Sequence, residues 1–335
     1  MDFIVELGNT HEGSLGIATS LVDMAYVAGA TTVKFQMHLA EHEGTPTEPF
    51  RTSFSKQDIS RQDYWRRVNF SEEEWLILAD YVSSKSMEFL CTPFSIEAAS
   101  FLFEHKLVRR WKVGSGDASN FPLLDFLSST GLPLIISTGL VSWDEILDLR
   151  NFLNSRGVWD KTTLMHCVSS YPVSLDRISM NVIDDLRALG CRVGYSDHSG
   201  NVSAGLLAVS KGVECLEIHM TPHRLFFGPD VTSSLLPEEV ALLIRICQDW
   251  QTMSANPHTR DDLYGEGTQT ASLFRKGIYW ASDMGPGMSI QLKDLKFLKP
   301  SHEFDAIDYQ QVIKSRVARQ VLKGQPVQRG DLDLD

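Results

Sequence analysis

Short apolar runs along the chain are each followed by a polar turn and then by a stretch with apolar residues every three to four positions. The first unit is an apolar run over residues 3–7, the turn Gly8-Asn9-Thr10-His11-Glu12-Gly13, and a helix opened by Ser14 with Leu15, Ala18, Leu21, Val22 and Ala25 on one face. A second run, residues 31–36, leaves Lys34 and Gln36 at its far end. Residues 38–69 then lose the period, and a loop of that length is usually functional or disordered. Ser71 and Glu74 form a capping box, which starts a helix reaching to about residue 84. Strand-like runs return at residues 87–91, 110–113, 132–136, 162–166, 191–195 and 214–218. Each is followed by a polar tip and a helical segment, the last of them residues 237–250.

Eight strand, tip and helix units in about 250 residues predict an α/β fold with eight parallel strands, the (β/α)8 TIM barrel, whose functional site lies where strands end and helices begin. A doubly wound dinucleotide fold is disfavoured, because the first turn lacks the GxGxxG order. The barrel is expected over residues 1–255 and a polar linker over 256–272. Residues 273–335, a small unit of short strands and turns, have a thin core that docking on a partner surface would support.

Composition narrows the setting. With 335 residues and 43% hydrophobic content the chain is an ordinary globular protein, and no apolar run approaches the roughly 18 residues of a membrane span. The start, Met1-Asp2-Phe3, enters a strand with no basic region before it, which argues against secretion. Five Cys without a CxxC spacing read as reduced thiols of a cytoplasmic protein. A net charge of −12 disfavours nucleic acid and anionic membrane as partners, so any anion must be met by a local group of cations.

The chemistry gathers at the strand tips. His198 and His219 follow the seventh and eighth strands, which brings two imidazoles to one edge of the barrel although 21 positions separate them. Such a pair suits a divalent metal, and Asp197, Ser196 and Glu217 beside it suit the supporting role a ligating His needs; two core histidines are the alternative. Lys34 and Lys112 are cations at the mouths of strands two and four. With Thr92, Ser95, Ser115, Gly116, Ser137, Thr138 and Ser196 they make a pocket for a phosphate, or a phosphate plus a carboxylate, unless each Lys is merely solvated at the rim. Glu12, Asp117, Glu217 and Asp230 are candidate acids, and Glu12, next to His11, is favoured as general base or water holder. Asp230 is a candidate for binding substrate hydroxyls, and Tyr171 either does the same or caps its loop.

These tips resemble those of the sialic acid (N-acetylneuraminate) synthase family. The matches are Lys34 to Gln36, Thr92 to Ser95, Lys112 to Asp117, Ser137 to Gly139, His166 and Cys167 with Tyr171 and Pro172, Tyr195 to Ser199, Glu217 to His219, and Gly228 to Asp230. The similarity covers nearly the whole chain, and residues 273–335 resemble the family's antifreeze-like (SAF) domain. The resemblance implies condensation of phosphoenolpyruvate with the open-chain aldehyde of an N-acetylated hexosamine, giving a nine-carbon 2-keto sugar acid and phosphate. It implies that His198 and His219 hold Mn²⁺, or Mg²⁺ or Co²⁺. Lys34, Thr92, Lys112, Ser115, Ser137 and Ser196 would bind phosphoenolpyruvate, and Glu12 would act on the attacking water. Gln36, Tyr171 and Asp230 would hold the sugar. A homodimer follows too, the SAF domain of one subunit closing the barrel of the other.

The chain departs from the family at Thr10, Asp117 and Ser169, and Lys299 stands where sialic acid members place an Arg toward the acetamido group. Lys cannot make that planar two-point contact, so the acceptor is left open among sugars leading to sialic, legionaminic, pseudaminic or other nonulosonic acids. Residues 38–69, with Arg51, Arg61, Tyr64 and Arg66, are expected to form a lid that carries the specificity. A Schiff-base aldolase with Lys112 as nucleophile and a non-catalytic sugar-binding relative are the competing readings.

Overall fold

A computed structural model describes residues 1–333 except 53, 55, 56 and 267. The chain divides into two compact units, Met1–Ala255 and Asn256–Asp335.

In the first unit the eight strands are β1 (Asp2–Gly8), β2 (Thr32–Met37), β3 (Glu88–Pro93), β4 (Trp111–Val113), β5 (Leu134–Ser137), β6 (Thr162–His166), β7 (Arg192–Asp197) and β8 (Cys215–His219). They hydrogen-bond in the order β3-β2-β1-β8-β7-β6-β5-β4, all in parallel, and β3 and β4 at the two ends lie side by side, so the sheet curls into a nearly closed (β/α)8 barrel. The helices of the expected units are α1 (Leu15–Val27), α4 (Glu72–Ser84), α5 (Ile96–Glu104), α6 (Phe121–Ser129), α7 (Trp143–Ser155), α8 (Val182–Arg187), α9 (Val202–Ser210) and α10 (Pro237–Ala255); α2 (Ala40–Glu43) and α3 (Arg61–Val68) lie between β2 and α4. Most start on a side chain that satisfies a free backbone N–H: Ser14, Ser71, Ser95, Asn120, Ser142 and Asn201 each accept from the first turn.

Two apolar layers hold the barrel together. The larger packs the outward faces of the strands against the helices. The smaller fills the interior with Ile4, Leu90, Ile135, Met165 and Cys215. Side chains alternate along a strand, so the residue two further on returns to the same face one layer higher. From those five positions, that step reaches Glu6, Thr92, Ser137, Cys167 and Glu217. The interior therefore changes from hydrocarbon to polar groups within a single layer. At the opposite end Arg110 joins Asp2, Glu88 and Thr32, an ionic plug below the apolar layer.

Residues 38–69, expected to be irregular, contain α2 (Ala40–Glu43) and α3 (Arg61–Val68). The second starts on a reciprocal Ser60 and Asp63 capping box and buries Tyr64, Trp65 and Val68. Eight residues are too few for its period to stand out among so many Arg. The presumed linker, 256–272, also folds: α11 (Arg260–Glu266) and α12 (Thr268–Phe274) occupy most of it. Thr259 caps the first with Asp262, donating to its carboxylate and accepting its N–H, a polar signature that reads equally well as a loop.

The second unit continues with β9 (Gly277–Trp280) and β10 (Leu295–Leu298), which pair antiparallel, then α13 (Tyr309–Lys314), and β11 (Arg316–Val317) paired with β12 (Leu332–Asp333). Its core gathers around Trp280, whose indole N–H donates to Asp331 at 3.3 Å while Arg319 holds the same carboxylate at 2.8 Å. Among the described residues no helix is long and apolar enough to cross a membrane.

Candidate active site

The polar layer forms the floor of a cavity of about 310 Å³, a volume suited to small molecules. Lys34 Nζ lies 3.0 Å from Glu6 Oε2, 3.5 Å from Glu217 Oε2 and 3.3 Å from Thr92 Oγ1. Lys112 Nζ donates to Ser137 Oγ at 2.8 Å and to the Val113 carbonyl at 3.3 Å, with Glu217 Oε1 3.6 Å away. Ser196 Oγ donates to that same carboxylate oxygen at 2.9 Å. Two ammonium and two carboxylate groups share one buried layer and cancel in charge.

Their surroundings pull the two lysines apart. Burial works against the charge on Lys34, but Glu217 and Glu6 outweigh it and hold the ammonium above its ordinary value. At Lys112 burial prevails over the attraction of Glu217, and the nearby Lys34 adds to it, so this amine falls below its ordinary value. Burial pushes the Glu217 carboxyl up, yet Lys112 and Lys34 together keep it below the usual carboxylate range.

One layer nearer the open end, the His198 and His219 ring centres are 5.4 Å apart and tilted by 64°. His198 Nδ1 donates to the Val168 carbonyl at 2.8 Å, which leaves the Nε2 lone pair to accept from the Tyr171 hydroxyl at 3.1 Å. Burial first and the His219 ring second hold the His198 pKa at about 3, so the imidazole is neutral. Tyr171 in turn carries the Arg51 guanidinium 4.0 Å above its ring, and Arg51 is paired with Asp230 at 2.5 Å.

Of the residues singled out in the sequence, Lys34, Gln36, Thr92, Lys112, Ser115, Gly116, Ser137, Ser169, Tyr171, Ser196, His198, His219 and Asp230 line this one cavity. Ser115 takes its place through two neighbours, accepting the Gly139 N–H at 3.1 Å and meeting Cys167 Sγ at 3.2 Å. Other expected residues lie elsewhere. Ser95 is spent as the cap of α5, accepting from Ala98 at 3.1 Å, and Asp117 accepts the Asn120 side-chain amide at 2.9 Å; both border a neighbouring depression. Glu12 is not among the lining residues. Its backbone has a φ of 51°, and its carboxylate pairs with Arg67 at 2.8 Å. Lys299 belongs to the second unit, where it is exposed with its ammonium 5.2 Å from the Phe274 ring centre.

Glu6, Asn9, His38 and Glu43, which the sequence pattern does not single out, also line the cavity. Glu6 was legible in principle: it sits at an inward position of β1, where a lone carboxylate between apolar neighbours requires a partner. His38 and Glu43 carried no such signal, being hidden in the aperiodic segment.

A parallel barrel with a buried lysine pair, hydroxyls and two imidazoles at its mouth is built for an enzyme that handles an anionic substrate. The sequence profile of the NeuB family matches residues 21–258, and the chain belongs to this family. It is 28% identical to the N,N'-diacetyllegionaminic acid synthase of Legionella pneumophila over 96% of this chain and 91% of that protein. It is 30% identical to the human N-acetylneuraminate-9-phosphate synthase over 72% of this chain and 68% of that one. Among solved structures, the N-acetylneuraminic acid synthetase of Leptospira borgpetersenii, crystallised with citrate, superposes with a TM-score of 0.69 at 27% identity, over 80% of this chain and 90% of that one. The protein is an enzyme, a carbon–carbon bond-forming transferase of the N-acetylneuraminate synthase type.

Proposed function

We propose that the enzyme condenses phosphoenolpyruvate with the open-chain aldehyde of an N-acetylated hexosamine, in a metal-dependent reaction that yields a nine-carbon 2-keto sugar acid and phosphate. The observation that carries this reading is the joining, in one cavity, of the Lys34 and Lys112 layer with the His198 and His219 pair. The enol carbon C3 attacks the aldehyde carbon and the new C–C bond forms, while the aldehyde oxygen takes up a proton. Water adds to the resulting cationic C2 and gives up a proton, and phosphate leaves with its bridging oxygen to uncover the ketone.

In this reading Lys34, Lys112, Thr92, Ser115, Ser137 and Ser196 bind the phosphate and carboxylate of phosphoenolpyruvate. Gln36, Tyr171 and Asp230 face the sugar. Glu12, paired with Arg67 through one carboxylate oxygen, acts on the attacking water in this reading. His198 and His219 fit a divalent ion such as Mn²⁺, Mg²⁺ or Co²⁺: His198 is neutral, its Nδ1 is fixed by a carbonyl, and its Nε2 lone pair faces the cavity wall formed by Tyr171. Among the described residues there is no group of three or more His, Cys, Asp or Glu for a metal, so the pair suits an ion that takes its other ligands from water or substrate. Bound there, the ion supplies Lewis-acid polarisation of the aldehyde oxygen. The five thiols, all free, suit a cytoplasmic enzyme. A domain-swapped homodimer completes the proposal, with the second unit as the SAF domain; sedimentation at half the expected dimer mass would reject that part.

Phosphate release from phosphoenolpyruvate with Mn²⁺ and a panel of N-acetylated hexosamines, followed by product mass, tests the whole. Silence across the panel would defeat it. The lowered pKa of Lys112 favours one competitor, a Schiff-base aldolase; borohydride trapping of a carbonyl substrate on Lys112, with activity surviving a chelator, would turn the assignment that way.

A further inference from the structure

We propose that His38, braced by Glu43, is a positioning residue that fixes the Gln36 side-chain amide so that it meets the acceptor sugar only as an N–H donor. This rests on the amino-sugar reaction proposed above and deepens it. His38 lies one residue past β2, 3% exposed, and its ring is sandwiched flat between Trp65, 3.7 Å away at 6°, and Phe94, 4.2 Å away at 14°. In the plane of the ring, Nδ1 lies 2.7 Å from Glu43 Oε2 and Nε2 lies 3.1 Å from Gln36 Oε1.

The amide of Gln36 is held from both ends. Its Oε1 also accepts from Asn9 Nδ2 at 3.2 Å, and its Nε2 donates to Glu6 Oε1 at 2.5 Å. Glu6 is the ion-pair partner of Lys34, so its carboxylate only accepts. A reversed Gln36 would set its carbonyl against the Glu6 carboxylate. With this orientation, the second Nε2 hydrogen is what the side chain has left to offer the cavity it lines. Both His38 nitrogens face oxygen atoms, Glu43 on one edge of the ring and Gln36 on the other, so the ring bridges the two side chains. Room for this arrangement comes from Gly8, where a Cβ would come within 3.2 Å of Glu6 Oε1 and 3.4 Å of Gln36 Nε2.

The residues that hold His38 belong to the segment over the barrel mouth. Glu43 ends α2, Trp65 lies in α3, and the Gln62 amide ties the two by donating to the Ala40 carbonyl at 3.2 Å and to the Gly44 carbonyl at 3.5 Å. Order in that segment and the facing of Gln36 are joined through one ring.

His38→Phe keeps the aromatic sandwich and deletes both ring nitrogens, and Glu43→Gln keeps the shape and removes the carboxylate that braces the ring. Steady-state kinetics with Mn²⁺, phosphoenolpyruvate and the best sugar of the panel decide the matter. His38→Phe is expected to raise the sugar KM by about ten-fold, the worth of one good hydrogen bond, with a smaller change in kcat and a phosphoenolpyruvate KM within about two-fold of the parent. Glu43→Gln is expected to move the sugar KM in the same direction by less, and it decides alone if His38→Phe does not fold. A sugar KM that stays put in both variants, or a rise shared equally by the two substrates, overturns the proposal. Failure of the parent enzyme to use any amino sugar overturns the underlying reaction instead, and shows before a variant is made.

Discussion

At the scale of single residues the site depends on one shared carboxylate. Glu217 faces both buried lysines, so Glu217→Gln leaves two ammonium groups with a neutral neighbour in a medium that does not solvate them. The variant is expected to lose about 3–5 kcal/mol in urea unfolding, and added inorganic phosphate should restore more stability to it than to the parent. Gly139 is constrained by space: a Cβ there would fall 2.6 Å from Ser169 Oγ and 2.7 Å from Cys167 Sγ. Gly139→Ala should cost about 1–3 kcal/mol in thermal unfolding and raise the phosphoenolpyruvate KM by displacing Ser115. Residues at this scale were legible where polar groups recur at strand ends, as with Lys34, Lys112 and the two His. Ser95 caps α5 and Asp117 holds the Asn120 side-chain amide, since a hydroxyl or carboxylate beside a helix start serves the fold as readily as a ligand.

At the scale of elements, the segment between β2 and α4 was the least readable and is the most informative about the site's entrance. Its helix α3 depends on the Ser60 and Asp63 box, and Ser60→Ala should cost about 1 kcal/mol, with faster amide exchange confined to α3 and its neighbours. Arg51 fastens the same segment to the barrel through Asp230 and the Tyr171 ring. Arg51→Ala should therefore speed hydrogen exchange over residues 44–52 without changing exchange in the barrel strands; equal rates in parent and variant would show that the fastening is idle. The barrel strands were readable because each buries a run of apolar residues ending at a polar tip. The segment has no such rule, since its contacts are made by Arg, Trp and Phe with partners far along the chain.

At the scale of the molecule, stability is tied to pH by histidines buried without charge. His11 is fully buried against Phe70, accepts the Gly13 N–H on Nδ1, and burial lowers its pKa to about 3, with His38 adding to the shift. Below an unfolded value near 6.5, the unfolded chain binds a proton that the folded one refuses, so stability falls as pH drops from about 6.5 toward 3. By pH 5 this is worth about 2 kcal/mol, and His11→Phe should flatten the decline of Tm between pH 7 and pH 5. The eight-fold repeat of strand, tip and helix made the barrel readable end to end. The helices of 256–272 were not, because exposed polar helices and loops share a composition.

The step from hydrocarbon to polar groups inside the barrel sets an order of arrival. Arg110 and its acidic partners close one end and Ile4, Leu90 and Met165 fill the middle, so the cavity is reached from the strand-tip end. The ammonium layer lies beneath the imidazoles, and whatever it binds must pass them first. In the proposed reaction phosphoenolpyruvate would then queue ahead of the sugar, and a sugar seated first would block the way in. Initial-rate patterns should be those of a compulsory sequence, with excess sugar inhibiting in competition with phosphoenolpyruvate.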